Sequence, residues 1–257
     1  MKEKARRGRE LAIDAIYRAQ SGHPGSSLST MEMLVSIYFG GILRHNPKNP
    51  QDVHRDYFLL SNGHACPGLY AVLAMAGYFP EEDLLRLRQL GANVQGHPHR
   101  GSLPGIEISA GSLGQGLSVG IGLAHAHKLA RKKNTIYVMM SDGEQQEGST
   151  WEAVMYAPKR KLSNLVAIVD KNKFQIDGAT QKVMPGLDPL AKKYKAFNWR
   201  VMEIDGHNFT EVFAAFQWAE KARGPAVIIS NTIRGKDVSY MEGSEHWHAG
   251  AISDEQY

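Results

Sequence analysis

The 257-residue sequence contains a single cysteine, Cys66, so no disulfide can form within the chain. It has no run of about 18 apolar residues, the length that a membrane-spanning helix needs. The first ten residues alternate basic and acidic side chains, and no apolar core of a signal peptide follows them. We therefore expect a cytoplasmic protein in a reducing compartment, with no membrane partner. Internal repeats and low-complexity tracts are also absent.

The surplus of positive charge is small, since 30 Lys and Arg residues stand against 26 Asp and Glu residues. A formal net charge of +4 suits anionic ligands but is too weak to indicate a nucleic-acid partner. Apolar residues make up 42% of the chain, which excludes a disordered polypeptide. The length suits one large domain or two small ones.

Short apolar runs in the second half of the chain predict strands at Thr135–Met140, Asn164–Val169, Trp199–Ile204 and Ala226–Ser230. Helical patterns separate them at Thr150–Lys161, Pro189–Phe197 and Thr210–Arg223. Further helical patterns cover Lys2–Gln20, Met31–Leu43, a segment from Pro80, and Leu117–Ala130. Strands that alternate with helices indicate an α/β fold, with a parallel sheet flanked by helices on both faces. Ligands of such sheets bind beyond the carboxyl ends of the strands, so residues just after each run are candidates for a site.

Hard oxygen donors follow two of the predicted strands. Asp142 and Gly143 come after the first run, and Asn172 after the second. A carboxylate and an amide oxygen suit Mg²⁺ or Ca²⁺, with coordination positions left for phosphate oxygens, and a glycine lets a phosphate approach the backbone. Asp, Asn and Gly also dominate ordinary turns, so these residues alone favour turns between buried elements.

A glycine-rich loop, Ser109–Gly116, opens the predicted helix Leu117–Ala130. Free backbone N–H groups at a helix start can bind an anion. The loop lacks the Lys-Ser/Thr ending of a nucleoside triphosphate loop and the spacing of a dinucleotide fingerprint. Close packing of a helix start explains the glycines equally well.

Four histidines lie in predicted loops: His23, His64, His97 and His248. Histidine is the side chain best suited to move protons near neutral pH. No pair has the spacing of a helical zinc site, and one cysteine cannot build a cysteine-rich one. A single loop histidine is more often a capping or exposed residue, but four of them are harder to explain in that way.

Taken together, these segments resemble the N-terminal, diphosphate-binding half of transketolase. The residues that carry the resemblance are Ser21–Gly25 (SGHPG), Leu60–His64 (LSNGH), Gly96–Pro98 (GHP), Gly111–Gly116 (GSLGQG), Asp142–Gly148 (DGEQQEG) and Asp170–Thr180 (DKNKFQIDGAT). They occur in the family's order and span nearly the whole chain. Three positions depart from the family's pattern: Ser141 stands where glycine is usual, His99 where an acid is usual, and Ser112 where proline is common.

The resemblance implies the thiamine diphosphate-binding fold, with residues 1–257 as a single diphosphate-binding domain of transketolase type. It implies thiamine diphosphate as cofactor together with Mg²⁺ or Ca²⁺. The implied metal ligands are Asp142, Asn172 and the backbone carbonyl of Phe174. The resemblance also implies a set of residues that bind the cofactor. Besides Asp142 and Asn172, this set comprises His64, Gly111, Ser112, Leu113, Gly143, Glu144, Glu147 and His248. The implied catalytic residues are His23, His64, His97 and His248, of which His23 and His97 match histidines that contact the sugar.

The family also implies chemistry and partners. Its members transfer a two-carbon ketol unit from a ketose phosphate to an aldose phosphate. The sequence contains nothing that matches the family's pyrimidine-binding half, so it resembles the N-terminal subunit of a transketolase divided between two chains. We expect a C-terminal partner subunit that supplies the other half of the site, in a heterotetramer with two copies of each chain. Glu147 matches an acidic residue at the interface between the two halves.

Two other interpretations remain at this stage. The chain could serve another thiamine diphosphate enzyme, such as a deoxyxylulose phosphate synthase or the alpha subunit of a 2-oxo acid dehydrogenase. It could also be a non-catalytic scaffold of the same fold. The GHP motif and His248 favour transketolase over the first, and the full set of histidines and metal ligands argues against the second.

Overall fold

The computed structural model describes residues 1–257. The strands are β1 (Tyr57–Leu60), β2 (Ile136–Ser141), β3 (Leu165–Lys171), β4 (Phe174–Gln175), β5 (Gly178–Ala179), β6 (Arg200–Asp205) and β7 (Ala226–Asn231). The helices are α1 (Lys2–Ala19), α2 (Pro24–Ser29), α3 (Met31–Phe39), α4 (Cys66–Met75), α5 (Gly116–Leu129), α6 (Gly148–Lys159), α7 (Thr180–Val183), α8 (Leu190–Ala196) and α9 (Phe209–Glu220). Short 3₁₀ turns lie at Gly63–Ala65, Glu81–Arg86, Gly143–Gln146, Pro185–Leu187 and Glu245–His248.

Five strands form one parallel sheet in the order β1-β2-β3-β7-β6, and β4 and β5 form a separate small hairpin. All four strand pairings in the large sheet are parallel. The carboxyl ends of its strands therefore share one edge, and the segments that leave those ends start side by side. No helix of the fold is both long and apolar enough to cross a membrane.

The side chains of each strand alternate between two apolar layers. Phe58 and Leu60 pack with α1, α3, α4 and α9, while Leu59 between them packs with α5 and α6 on the opposite face. Because both faces are covered, β1, β2, β3 and β7 are largely apolar rather than alternating. The edge strand β6 differs, since Arg200, Glu203 and Asp205 are exposed. The predicted α/β fold with a parallel sheet flanked by helices is confirmed.

The predicted strands and most predicted helices are present, with ends shifted by a few residues. Six elements were not predicted: α2, β1, α4, β4, β5 and α7. Of these, α2, β4, β5 and α7 have two to six residues each, too few for a periodic pattern. The strand β1 has only four residues, and α4 is buried on every side, so its sequence has no polar face to reveal a helical period. The segment after Pro80 forms a 3₁₀ turn instead of the predicted α-helix.

The last residues of the chain fold back onto the first helix. The rings of Tyr17 and Tyr257 stack with centroids 4.0 Å apart, and the Gln20 side-chain amide donates to the carbonyl of Ile252 (2.9 Å). Ile252 itself is buried. These contacts fix the segment that carries His248 over the carboxyl edge of the sheet.

Candidate functional site

Four loop histidines from distant parts of the sequence meet at the carboxyl edge of the sheet. His23 precedes α2, His64 follows β1, His97 lies in the loop before α5, and His248 ends the last 3₁₀ turn. The ring centroid of His23 is 5.5 Å from that of His64, 5.8 Å from that of His97 and 5.3 Å from that of His248. The structure thus brings together all four histidines that the sequence singled out.

These histidines are uncharged in the free chain. Burial lowers the pKa of His23 to about 3 and that of His248 to about 4, and nearby positive groups add to both shifts. Burial also lowers the pKa of His64 well below its usual range, and that of His97 to a lesser extent. The Nδ1 atom of His23 is buried and has no hydrogen-bond partner, so it is available to a ligand.

The two candidate metal ligands with side-chain oxygens lie at the same edge. One carboxylate oxygen of Asp142 accepts a hydrogen bond from the backbone N–H of Gly143 (2.8 Å). The other accepts one from the backbone N–H of Lys173 (2.8 Å), the residue that follows Asn172. This second bond fastens the turn after β2 to the turn after β3.

The negative charge of the buried carboxylates at this edge favours binding of a cation. Burial, together with the nearby carboxylate of Asp170, raises the pKa of Asp142 to about 7. A divalent ion would offset this cost of burying two carboxylates together. The Asn172 side-chain oxygen accepts only the backbone N–H of Phe174 (3.2 Å), so it keeps a lone pair for a ligand. The donor set of Asp142, Asn172 and the Phe174 carbonyl therefore fits Mg²⁺ or Ca²⁺.

The glycine-rich loop is held in place by a buried carboxylate. Glu144 accepts hydrogen bonds from the backbone N–H groups of Gly114 (2.9 Å) and Ser141 (3.3 Å) and from the Ser61 hydroxyl. Gly114 has a φ of +82°, and a Cβ there would lie 2.6 Å from the Cβ of Glu147. Only glycine fits this position of the loop.

A cavity of about 300 Å³ is lined by these groups. Its walls include His23, Ser26, His64, His97, Gly111, Leu113, Ser141, Gly143, Gln146, Glu147, Asn172, Phe174, Gln175, Ile176, Asp177 and His248. Three residues that the resemblance implies for cofactor binding are not in these walls. Asp142 is buried at the base of the site, Ser112 is exposed, and Glu144 is fully buried with both oxygens bonded to groups of the chain. Glu144 thus holds the loop and does not face the cavity.

Sequence analysis missed a buried arginine in the site. Arg234 is 0% exposed and its guanidinium lies over the ring of Phe174, 5.1 Å from the centroid. Its Nε has no hydrogen-bond partner, and one of its terminal nitrogens is 3.5 Å from Nδ1 of His248. Burial lowers the pKa of Arg234 to about 10, while Asp142 and Asp170 raise it, so the group stays charged near pH 7. It is not among the residues that line the cavity, so its positive charge acts from behind the wall to which Phe174 and His248 belong.

The position of Arg234 after an apolar strand is a signal that could have found it. The same rule that pointed to Asp142 and Asn172 applies to the exit of β7, three residues before Arg234. Ser26 also lines the cavity, and it stands directly after the Ser21–Gly25 motif. Residues Gln175–Asp177 line the cavity because they form the tip of the β4–β5 hairpin, a contact that no local pattern indicates.

A second cavity, of about 530 Å³, opens near the start of β1 and β2, at the opposite edge of the sheet. Two of its four charged residues pair with each other, since the Arg44 guanidinium donates to the Asp56 carboxylate at 2.7 Å and 3.0 Å. None of the four histidines or the candidate metal ligands lines it. The smaller cavity at the carboxyl edge is therefore the candidate functional site.

Comparison with known proteins points to one family. A family model described as "Transketolase, thiamine diphosphate binding domain" matches residues 1–257. The chain is 43% identical to a 6-deoxy-6-sulfo-D-fructose transketolase subunit of Clostridium sp. (strain MSTE9), covering 97% of this chain and 90% of that protein. It is 40% identical to an apulose-4-phosphate transketolase subunit of Phocaeicola vulgatus, covering 98% of this chain and 89% of that protein.

Solved structures show the same likeness over part of longer chains. The transketolase of Campylobacter jejuni superposes with a TM-score of 0.93 at 33% identity, covering 99% of this chain and 41% of that one. The transketolase of Leishmania mexicana gives a TM-score of 0.92 at 32% identity, covering 99% of this chain and 40% of that one. The predicted thiamine diphosphate-binding fold is confirmed by these neighbours.

Proposed function

We propose that this chain, which belongs to the transketolase family, is the diphosphate-binding subunit of a two-chain transketolase. With a separate C-terminal subunit it would transfer a two-carbon ketol unit from a ketose phosphate to an aldose phosphate. The observation that carries the proposal is the meeting of four uncharged histidines with the Asp142–Asn172 pair around one cavity. A scaffold that had lost its activity would have no need to keep these groups together.

The residues at the cavity fit the diphosphate and its metal. Asp142, Asn172 and the Phe174 carbonyl would hold Mg²⁺ or Ca²⁺, and the same ion would take phosphate oxygens as its remaining ligands. His64, Gly111, Leu113 and Gly143 line the space where the phosphates would lie, with Glu147 at its wall. When bound, thiamine diphosphate supplies the electron sink for breaking and forming the carbon–carbon bond.

The chain's own histidines would handle the sugar. Uncharged imidazole can donate or accept a hydrogen bond, which suits the hydroxyl and carbonyl oxygens that exchange protons in ketol transfer. His23 has a buried Nδ1 without a partner, and His97 lies 5.8 Å away between ring centroids. We assign these two to sugar oxygens, and His64 and His248 to the cofactor side of the cavity.

A partner chain would complete the site. The first relatives named above are themselves named subunits, and this chain covers about nine-tenths of each, whereas it covers about 40% of the solved transketolases. The partner would supply the pyrimidine-binding half against the wall that carries Glu147. The arrangement we propose is a heterotetramer with two copies of each chain, working in the cytoplasm on sugar phosphates of pentose phosphate metabolism.

The test is a ketol-transfer assay with thiamine diphosphate and Mg²⁺, using xylulose 5-phosphate as donor and ribose 5-phosphate as acceptor. The chain is assayed alone, and then with the protein encoded beside its gene. We expect activity only in the mixture. Because the relatives act on a sulfosugar and on apulose 4-phosphate by name, both classes belong in the donor panel. Turnover of pyruvate instead of any ketose phosphate would overturn the assignment in favour of another thiamine diphosphate enzyme.

A further inference from the structure

A buried carboxylate that the proposed mechanism does not use lies directly below the metal ligands. Asp170 stands near the end of β3, opposite Ser141 of β2 and Ser230 of β7 in the strand register. It is 2% exposed, and none of the salt bridges of the chain includes it. A buried charge without a cationic partner is costly, so its hydrogen-bond partners matter.

Three donors from three parts of the fold converge on this carboxylate. One oxygen of Asp170 accepts the hydroxyl of Ser29 (2.7 Å) and the side-chain N–H of Asn172 (2.9 Å). The other accepts the hydroxyl of Thr232, which follows β7. Ser29 ends α2, the helix that begins beside His23. Asp170 therefore ties together three segments that line the site.

The bond from Asn172 decides how its amide is oriented. An amide side chain has a donating nitrogen and an accepting oxygen, and its surroundings determine which way they point. Because the nitrogen is committed to Asp170, the oxygen must point the other way, where it accepts only the Phe174 backbone N–H. The reversed amide would set its N–H₂ against the Phe174 N–H and would turn two N–H groups, which cannot bind a cation, toward the metal.

We propose that Asp170 is a positioning residue that fixes the Asn172 amide with its oxygen toward the divalent cation. The inference rests on the function proposed above, because it concerns the same metal site. Asp170 does not touch the cofactor or the substrate. It acts through the orientation of Asn172, in the way that groups behind a metal ligand tune affinity elsewhere.

The first test compares three single variants of this chain with the wild type, each assayed with the partner subunit present. Mg²⁺ is titrated by calorimetry at a fixed, saturating concentration of thiamine diphosphate, a readout that needs no activity. Asp170→Ala removes the acceptor, and we expect metal affinity to fall by about 10- to 100-fold. Asp170→Asn keeps one accepting oxygen for Asn172 and should lose less. Ser29→Ala removes a bond to the same carboxylate without touching Asn172 and should stay within about threefold of wild type.

A second variant keeps the inference testable if Asp170→Ala does not fold, as judged by circular dichroism. The exchange Asp170→Asn with Asn172→Asp reverses the polarity of the bond but retains it, and the total charge is unchanged. Asn172→Asp alone completes the set of four proteins. Because a carboxylate at position 172 offers an oxygen to the metal in either orientation, Asp170→Asn should weaken Mg²⁺ binding less in the Asn172→Asp background than in wild type. If the losses of Mg²⁺ binding free energy in the two single variants simply add in the double variant, Asp170 does not act through Asn172.

The outcomes separate this inference from the function on which it rests. A wild-type chain, assayed with its partner present, that binds no Mg²⁺ with thiamine diphosphate overturns the proposed function and the inference together. Normal binding by wild type and equal binding by Asp170→Ala overturns the inference alone. A uniform loss in Asp170→Ala, Asp170→Asn and Ser29→Ala would mean that the carboxylate only stabilises the fold, which also overturns it.

Discussion

His23 and His248 meet edge to face, with ring centroids 5.3 Å apart and an angle of 88° between the ring planes, although nearly the whole chain lies between them. Their contact closes one wall of the cavity. Each ring is held in its neutral form because burial and neighbouring positive groups disfavour the imidazolium. This pair therefore links the geometry of the site to the response of the fold to acid.

The first prediction concerns acid stability. The pKa of His23 is lowered from 6.5 to about 3, so the unfolded chain takes up this proton at a higher pH than the folded chain does. Its contribution must lower stability as the pH falls from about 6.5 toward 3. We expect His23→Asn to lose less stability than wild type between pH 7 and pH 5, measured from urea unfolding curves.

The comparison with the variant is needed because Asp142 acts in the opposite direction. Its folded-state pKa is raised to about 7, so its contribution to stability is present below about 4 and is lost as the pH rises toward 7. Asp142 is common to both proteins, and the difference between their curves isolates His23. Parallel curves for wild type and His23→Asn would contradict the prediction.

The second prediction concerns the space above Gly143. A Cβ added there would meet only the Cβ of Gln175, at 3.4 Å, and otherwise open space at the cavity wall. Gly143→Ala should therefore fold with wild-type stability but bind thiamine diphosphate at least tenfold more weakly, about 1.4 kcal/mol or more, because the methyl group occupies space that the phosphates need. The matched control is Gly224→Ala at the opposite edge of the sheet, where a Cβ also meets nothing within 4 Å. Equal cofactor affinity in both variants would refute the placement of the diphosphate beside Gly143.

The third prediction concerns the order in which metal and cofactor bind. No group of three or more His, Cys, Asp or Glu side chains in the chain is arranged to hold a metal ion. The proposed site has one carboxylate, one amide and one backbone carbonyl, so it depends on phosphate oxygens for further ligands. We expect Mg²⁺ to bind at least tenfold more tightly when thiamine diphosphate is present than when it is absent. By the same linkage, a chelator should release the cofactor during gel filtration. Tight Mg²⁺ binding to the free chain would show that the metal is held without the diphosphate.

The fourth prediction concerns the carboxylate under the glycine-rich loop. In Glu144→Gln, an N–H₂ group takes the place of one of the two carboxylate oxygens. That oxygen accepts hydrogen bonds from backbone N–H or hydroxyl groups, so the new N–H₂ group would face other donors. We expect a loss of about 1–3 kcal/mol in the free energy of unfolding, together with faster hydrogen exchange at the Gly114 amide. Glu152→Gln, on the exposed side of α6, is the control and should change neither quantity. Unchanged exchange at Gly114 would contradict the role assigned to Glu144.

Much of this architecture is readable from local sequence. The strands β2, β3 and β7 are runs of apolar residues between polar turns, and the helices between them keep a clear period. The edge strand β6 mixes apolar and charged residues. The strand β1 escapes detection because four residues are too few for a pattern, and α4 because burial on all sides removes its polar face. Both failures arise where tertiary packing, not local preference, determines the structure.

The residues of the candidate site also fall into two groups, those that local sequence reveals and those that only the fold reveals. Asp142, Asn172 and the histidines sit in short motifs with recognisable neighbours, so the sequence points to them directly. Arg234 lies outside those motifs, and its partners, Phe174 and His248, belong to other segments. Asp170 opens the Asp170–Thr180 motif, but the motif does not reveal that its carboxylate accepts the hydroxyls of Ser29 and Thr232. A charged residue at the end of a strand or just after it is common, and only the fold shows that Asp170 and Arg234 are buried.

The stacking of Tyr257 on Tyr17 has a consequence for how the protein is made. The segment that carries His248 packs on α2 and β4 and continues onto the first helix, and it leaves the ribosome after every strand of the sheet. A nascent chain can therefore build the sheet and both apolar layers while the fourth wall of the cavity is still missing. The complete cavity is therefore available to the cofactor only late in synthesis. Full binding requires a domain whose synthesis has already passed His248, so we expect loss of the cofactor to lower the stability of finished molecules more than the yield of folding on the ribosome.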